Sequence, residues 1–306
     1  MANEFDLLVA GGGIAGLTAG LVAARLGRKT LILTGGVFGG HLLSIEKIDG
    51  YPGFPDGVAG YDLVPMTQGQ AVEAGAELAM TEITGLGPDG ANWRVSAGDG
   101  DYLARALIVA TGTGLRKLGI PGEESLRGKG VSHCASCDAP LLRDRPVAVV
   151  GGGDSALQEA LTLAGAASQV TILHRGDALS GQAVYRSAVE AHPKIEIRYN
   201  AEIEEIIGDG VVSGVRLRGS GDVIDVDGVF IYVGLRPESD FLAGVLDLAP
   251  SGHIPTDGAL QTGLNGVFAA GTVRAGAPGR AVAAAGDGTL AAISADRYLA
   301  DGAQPA

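Results

Sequence analysis

The chain of 306 residues has only two cysteines, Cys134 and Cys137, a single tryptophan, and aromatic residues at 5%. Two cysteines exclude a disulfide-stapled scaffold and a four-cysteine zinc site. So few aromatics mean that any core is built from aliphatic side chains and alanine. Positive charge is scarce as well: lysine and arginine total 22 against 35 acidic residues, a net charge of −13. Such a surface repels phosphate backbones, so nucleic-acid binding is not expected. No run of about 18 uninterrupted apolar residues occurs, and no hydrophobic helical membrane span is expected. Residues 1–6 lack a basic amino-terminal region and Val9-Ala10 runs straight into Gly11, so no secretory leader is expected. The expectation is a soluble cytoplasmic protein whose lone cysteine pair is reduced at rest and serves catalysis or redox chemistry rather than structure.

What is abundant is glycine, 51 residues, more than twice the average usage of about 7%. With 46% hydrophobic and 19% charged residues, the chain is a folder rather than a disordered segment. A chain of this length buries roughly three quarters of its unfolded surface and divides into two domains. The organising signal is a repeat. Residues 7–33 read LLVAGGGIAGLTAGLVAARLGRKTLIL, and residues 147–173 read VAVVGGGDSALQEALTLAGAASQVTIL. Each is an apolar strand, a glycine turn, a helix with an apolar stripe, and a second apolar strand. Leu33 follows Gly11, and Leu173 follows Gly151, by the same 22 residues. Two βαβ openings at matched spacing predict two dinucleotide-binding folds in one chain. Elsewhere, residues 60–74 and 183–191 read as helices. Residues 76–110, 195–199 and 203–233 read as strands with tight turns. Residues 280–299 read as an alanine-rich helix interrupted around Gly286 and Gly288.

Gly11, Gly13 and Gly16 form G-x-G-x-x-G at a strand–helix junction. The first permits the turn, the second lets a pyrophosphate approach the backbone, and the third lets helix pack on strand. The phosphate then meets the free N–H groups of the helix start. Glycine turns also serve packing alone. The second copy, Gly151 and Gly153 with Ala156 in third place, reads either as a second nucleotide site or as a structural relic. Both copies lack the acidic residue that normally holds ribose hydroxyls at the end of the second strand: Thr34 and His174 stand there. His174 with Arg175 presents positive charge suited to a 2′-phosphate, which favours NADP over NAD, although a solvated surface arginine explains it equally. Cys134-Ala-Ser-Cys137 can close a small redox-active ring with a lowered thiol pKa. Zinc would need two further ligands, and His41, His133, His174, His192 and His253 are scattered. Asp138, next to the pair, could shuttle a proton. Six basic residues between Arg116 and Arg145 form a locally basic stretch around Cys134, read either as a steering surface for an acidic partner or as a solvated loop.

Together these residues resemble low-molecular-weight thioredoxin reductases, flavoproteins of the pyridine-nucleotide disulfide oxidoreductases. The resemblance runs through nearly the whole chain. It includes Tyr51-Pro-Gly-Phe54, Ala110-Thr-Gly112, Ile120-Pro-Gly-Glu123, His133-Cys-Ala-Ser-Cys-Asp138, Gly151-Gly-Gly-Asp-Ser-Ala156 and Val267-Phe-Ala-Ala-Gly271. It implies an α/β fold of two Rossmann-like three-layer nucleotide-binding domains, the second inserted in the first. The FAD-binding domain would be discontinuous, 1–113 plus 240–306, and the NAD(P)H-binding domain with the Cys-x-x-Cys would span 114–239. FAD would be held by Gly11, Gly13, Ile14, Ala15, Gly16, Thr34, Gly40, His41, Ala110, Thr111, Gly112, Gly271, Thr272, Arg280 and Ala281. NADPH would be held by Gly151, Gly153, Asp154, Ser155, His174 and Arg175. Cys137 would lie against the flavin, Cys134 would attack the partner disulfide, and Asp138 would be the acid/base. The partner would be thioredoxin or a similar protein disulfide, and the enzyme a homodimer.

Several positions depart from the family pattern. Thr34 replaces the acidic residue, Gly39-Gly40-His41 replaces Gly-Gly-Gln, and Gly50 replaces an asparagine. Thr272 replaces an aspartate and Ala281 a glutamine. The NADPH-side arginine cluster is reduced to His174-Arg175-Gly176 with Ser180 in the last place. Each lost hydrogen bond to a charged or buried group is worth on the order of 1–3 kcal/mol. The alternative reading is therefore a flavin disulfide oxidoreductase that does not use NADPH, either ferredoxin-linked or an oxygen-dependent dithiol oxidase. A third reading is a degenerate flavoprotein acting as a redox-sensing or interaction module.

Overall fold

The computed structural model describes residues 3–36 and 38–302. In chain order, β1 (Asn3–Ala10), α1 (Ile14–Arg25) and β2 (Thr30–Leu33) come first. Next are α2 (Gly60–Glu73), β3 (Glu77–Ala79), β4 (Ile83–Asp89), β5 (Asn92–Ala97), β6 (Gly100–Val109) and β7 (Thr113–Leu115). Then come β8 (Val131–Ser132), α3 (Ala135–Asp138), β9 (Pro146–Val150), α4 (Asp154–Ala164), β10 (Gln169–Leu173), α5 (Ala183–Glu190) and β11 (Ile195–Arg198). They are followed by β12 (Ile203–Gly208), β13 (Val212–Leu217), β14 (Val223–Asp225) and β15 (Gly228–Ile231). The chain closes with β16 (Leu235–Pro237), β17 (Val267–Ala269) and α6 (Ala281–Ala300). No helix of the described residues is long and apolar enough to cross a membrane.

The chain divides into two compact units, residues 1–114 with 236–306 and residues 115–235. The divisions fall at the two crossings, β7 and β16, which pair with each other. In the first unit the sheet runs β3-β2-β1-β6-β5-β4, with β17 also on β6. β1, β2, β3, β6 and β17 are mutually parallel, and β4 and β5 continue antiparallel. In the second unit a parallel sheet runs β11-β10-β9-β15-β8, and β12-β13-β14 form a separate antiparallel sheet.

Parallel strands are covered on both faces, so they read as continuous apolar runs, and the side-chain period of two divides each run between two cores. Leu7 and Val9 of β1 join one buried cluster with Ala106 and Ile108 of β6, while Leu8 and Ala10 join another with Leu107 and Val109. Val147 and Val149 of β9 separate from Ala148 and Val150 in the same way. The cluster under α1 is closed by Ala15, Ala19 and Ala23 against Ala291, Ala292 and Ala295 of α6. Alanine at these places fits the low aromatic content, because it lets two helices lie close together on one sheet.

The interruption expected near Gly286 and Gly288 is absent: α6 is one continuous helix of 20 residues. Gly288 serves close approach instead. A Cβ there would lie 2.1 Å from the Ala15 carbonyl oxygen of α1, whereas a Cβ at Gly286 meets nothing within 4 Å. Gly288→Ala should therefore lower the unfolding free energy by about 2 kcal/mol, the range for an overpacked contact. Gly286→Ala should raise it by about 0.5–1 kcal/mol through helix propensity alone. Denaturant midpoints of the two variants check this pair of opposite signs.

Candidate functional site

The first unit gathers its glycine motifs at the carboxyl ends of β1, β6 and β17. Gly11 turns the chain out of β1 at φ +124°, and a Cβ there would sit 2.1 Å from the Ala110 carbonyl oxygen at the end of β6. Gly16 lies as close to Gly11, with 1.9 Å from an added Cβ to its carbonyl oxygen, which brings α1 onto the strand. Gly13 is the N-cap of α1. A Cβ on it meets nothing within 4 Å, no side chain caps the helix, and its first turn has no acidic residue. Uncapped N–H groups, the positive helix end and an unobstructed backbone suit a phosphate group.

Other candidates converge on the same edge. Gly271, at φ +78°, abuts Ala15, with 2.9 Å from an added Cβ to the Ala15 Cβ. The Thr272 hydroxyl lies 3.1 Å from that of Thr113, and Thr111 donates to the Glu238 carbonyl oxygen at 2.6 Å. Ala110 and Gly112 lie on either side of Thr111 at the end of β6. Arg280 is the N-cap of α6 and Ala281 its first residue. Gly40 and His41 open a 3-10 turn, Gly40–Ser44, with His41 exposed. Thr34 is buried, its hydroxyl donates to the Ala79 carbonyl oxygen at 3.3 Å, and its side chain packs on Gly12.

Sequence reasoning missed Asp287. From α6 its carboxylate accepts the Gly271 N–H at 3.1 Å and two bonds from the Arg274 guanidinium, at 2.6 and 2.9 Å. The bidentate bridge fixes the loop after β17 where Gly271 approaches α1. An aspartate between two glycines in an alanine-rich helix was the available signal.

In the second unit, Cys134 and Cys137 are joined in a disulfide rather than present as the dithiol expected at rest. The local fold accounts for the pairing. Cys134 is the N-cap of α3, one helical turn before Cys137, which holds their Cα atoms 5.4 Å apart. The Cys137 N–H donates to the Cys134 sulfur at 3.3 Å, and the Ser136 hydroxyl lies 3.5 Å from it. These donors favour negative charge on Cys134. Cys134 is half-buried and Cys137 exposed. Asp138 ends α3, its N–H on the Cys134 carbonyl oxygen at 3.2 Å. Burial, with Arg127 nearby, holds the His133 imidazole below its ordinary value and so neutral at pH 7. Burial likewise keeps the Tyr232 phenol protonated, with the Glu159 and Asp138 carboxylates acting in the same direction. Within the basic stretch, Lys117 pairs with Glu124 at 2.7 Å and Arg145 with Asp227 at 3.5 Å.

The second glycine turn differs from the first. Gly153 is again an open N-cap, but Asp154 stands in the first turn of α4. Its carboxylate accepts the Gln182 N–H at 2.6 Å. Ser155 follows Asp154 in the same turn. The Ser180 and Gly181 N–H groups and the Ser180 hydroxyl all donate to the Gly152 carbonyl oxygen, so the loop over residues 176–182 is fastened onto the turn. The His174 ring packs between Gly152 and Gly176, and Arg175 is exposed. Glu123, also unsingled by sequence reasoning beyond its motif, is buried and accepts the Leu118 and Gly119 N–H groups at 3.0 and 2.7 Å, folding the loop that begins this unit.

Residues 5–288 match the family described as pyridine nucleotide-disulphide oxidoreductase. The chain belongs to that family. It is 40% identical to a thioredoxin reductase of Mycolicibacterium smegmatis over 97% of both chains. It is 42% identical to a thioredoxin reductase of Listeria monocytogenes over 98% of this chain and 96% of that one. The crystal structure of Lactococcus lactis thioredoxin reductase superposes with a TM-score of 0.93 at 35% identity, covering 97% of this chain and 99% of that one. Pyridine nucleotide-disulphide oxidoreductases are built from two Rossmann-type domains, and the two parallel sheets here are those domains. Asp287→Ala should destabilise this member of the family by about 2–3 kcal/mol, the range for removing one partner of a largely buried charged pair. Arg274→Ala combined with Asp287→Ala should cost clearly less than the sum of the single changes. A double-mutant cycle in denaturant measures that coupling.

Proposed function

We propose that the protein is a thioredoxin-reductase-type disulfide oxidoreductase. The observation that carries the reading is the Cys134–Cys137 disulfide at the N-cap of α3, with backbone N–H and hydroxyl donors on the Cys134 sulfur, in a chain whose curated relatives are thioredoxin reductases. FAD belongs to the first unit, where the uncapped start of α1 and the open Gly13 backbone fit its pyrophosphate. Gly11, Gly13, Ile14, Ala15 and Gly16 would hold that group. Gly40, His41, Ala110, Thr111, Gly112, Gly271, Thr272, Arg280 and Ala281 would line the remainder. NADPH belongs to the second unit at Gly151, Gly153, Asp154, Ser155, His174 and Arg175. When bound, the pyridine nucleotide and the flavin together supply the two electrons that open the Cys134–Cys137 disulfide.

The residues carry the exchange that follows. The Cys134 thiolate, favoured by the Cys137 N–H, attacks one sulfur of the partner disulfide, forms a mixed disulfide and expels a partner thiolate. Cys137 then attacks the Cys134 sulfur of that mixed disulfide, which restores the Cys134–Cys137 bond and releases the second partner thiolate. Asp138, at the end of α3, exchanges protons with these sulfurs, so the partner leaves as a dithiol. The partner is a thioredoxin or a thioredoxin-like protein disulfide. One relative, from Mycobacterium leprae, is a fused thioredoxin reductase/thioredoxin. The protein works in the cytoplasm as a homodimer: on α2, Tyr61 and Val72 are exposed three turns apart on the same helix face, apolar groups suited to a second copy.

Cys134→Ser and Cys137→Ser should each lower thioredoxin reduction by about a thousandfold or more while leaving NADPH able to bleach the flavin without oxygen. A single variant that keeps thioredoxin activity overturns the assignment. A wild-type flavin that stays oxidised with NADPH but reduces with ferredoxin or a dithiol redirects the electron source. Arg175 is the one arginine left at the 2′-phosphate position. Arg175→Ala should lower kcat/KM for NADPH about tenfold and that for NADH less than about twofold. Steady-state kinetics with both nucleotides checks the difference.

A further inference from the structure

The first fold lacks the carboxylate that holds a nucleotide ribose at the end of the second strand, and Thr34 does not replace it. Its hydroxyl is buried and donates back to the Ala79 carbonyl oxygen. A carboxylate nevertheless stands at that edge, delivered from the neighbouring strand. β3 runs parallel to β2, and the pairing continues past both strands: the Thr34 N–H donates to the Ala79 carbonyl oxygen at 2.9 Å and the Gly35 N–H to that of Thr81 at 3.1 Å. This carries Glu82 alongside Gly36. The Gly36 N–H donates to Glu82 Oε1 at 3.3 Å, and a Cβ on Gly36 would lie 2.9 Å from that oxygen. Glu82 is exposed, at the same end of the sheet as the Gly11 turn.

We propose that Glu82 binds the adenosine ribose of FAD, taking the place of the absent carboxylate on β2. The proposal rests on the reading of the first unit as the FAD-binding unit. An ionised carboxylate offers about four acceptor positions. The Gly36 N–H occupies one and fixes the group against the loop after β2. The second oxygen is left to accept a ribose 2′-hydroxyl in a charge-assisted bond, as the acidic residue of β2 does in other dinucleotide folds. Gly36 belongs to the same device, since a side chain there would push the carboxylate out of place.

The test uses the purified flavoprotein and the fluorescence of FAD released on dilution, which reports the dissociation constant without turnover. Glu82→Gln keeps an oxygen acceptor for the Gly36 N–H but removes the charge, and it should raise the FAD dissociation constant about tenfold, the discrimination expected of one charge-assisted bond. The same measurement with FAD whose adenosine lacks the 2′-hydroxyl should show no difference between wild type and Glu82→Gln. Equal weakening toward both flavins would mean that Glu82 only shapes the loop, and overturns the proposal. An unchanged FAD constant overturns it too. A wild-type protein that neither retains nor takes up FAD overturns the reading of the unit itself, and this assignment with it.

Discussion

Three backbone segments of the first unit meet where no side chain fits. Gly16 lies on the carbonyl of Gly11, Gly11 on the carbonyl of Ala110, and Gly288 on the carbonyl of Ala15. This contact sets the height of α1 above the sheet, the seat of α6 beside it, and the position of the uncapped helix start over the ends of β1 and β6. The alanine core around it follows, because larger side chains would part the helices. Asp287 extends the arrangement from α6 to the loop after β17, holding the Gly271 N–H and Arg274 at once. The open, uncapped start of α1 is thus a by-product of how tightly the helices pack.

The second unit reuses the strand–turn–helix plan with different electrostatics. Its helix start already carries a carboxylate, Asp154, and the loop that follows β10 is fastened to the glycine turn through the Gly152 carbonyl. An anion approaching α1 meets only N–H groups, whereas one approaching α4 shares the helix end with Asp154. Two turns with nearly the same sequence therefore present different fields.

Much of this was legible in the chain. The two glycine turns sit on predicted strand–helix junctions because their chemistry is local: a φ of +124° at Gly11 and close approach at Gly16 admit little else. The strands were legible because parallel, doubly covered strands must be apolar throughout. The helix over residues 280–299 was read as broken because Gly286 and Gly288 lower helix propensity. Packing against α1, 270 residues away in sequence, decides the matter, and propensity cannot register it. Glu82 and Asp287 escaped for the same reason. Each acts on a backbone N–H of a different element, Gly36 and Gly271, and nothing in its own neighbourhood distinguishes it from a surface acid. The cysteine spacing showed that a ring could close, while the donors on the Cys134 sulfur emerge only from the turn of α3.

The insertion of residues 115–235 into the first unit has a consequence for synthesis. The inserted unit is contiguous, so all its strands leave the ribosome together. The first unit is not: β17 pairs with β6 and α6 packs on α1, yet both are made last. At about 5–20 residues per second, roughly 10–40 s pass between the emergence of residue 114 and the end of the chain. Throughout that interval the Leu107–Val109 end of β6 lacks its β17 neighbour, and the face of α1 that carries Ala15, Ala19 and Ala23 lacks its α6 cover. The strand edge and apolar surface left uncovered during synthesis therefore belong to the first unit rather than to the unit that carries the cysteines.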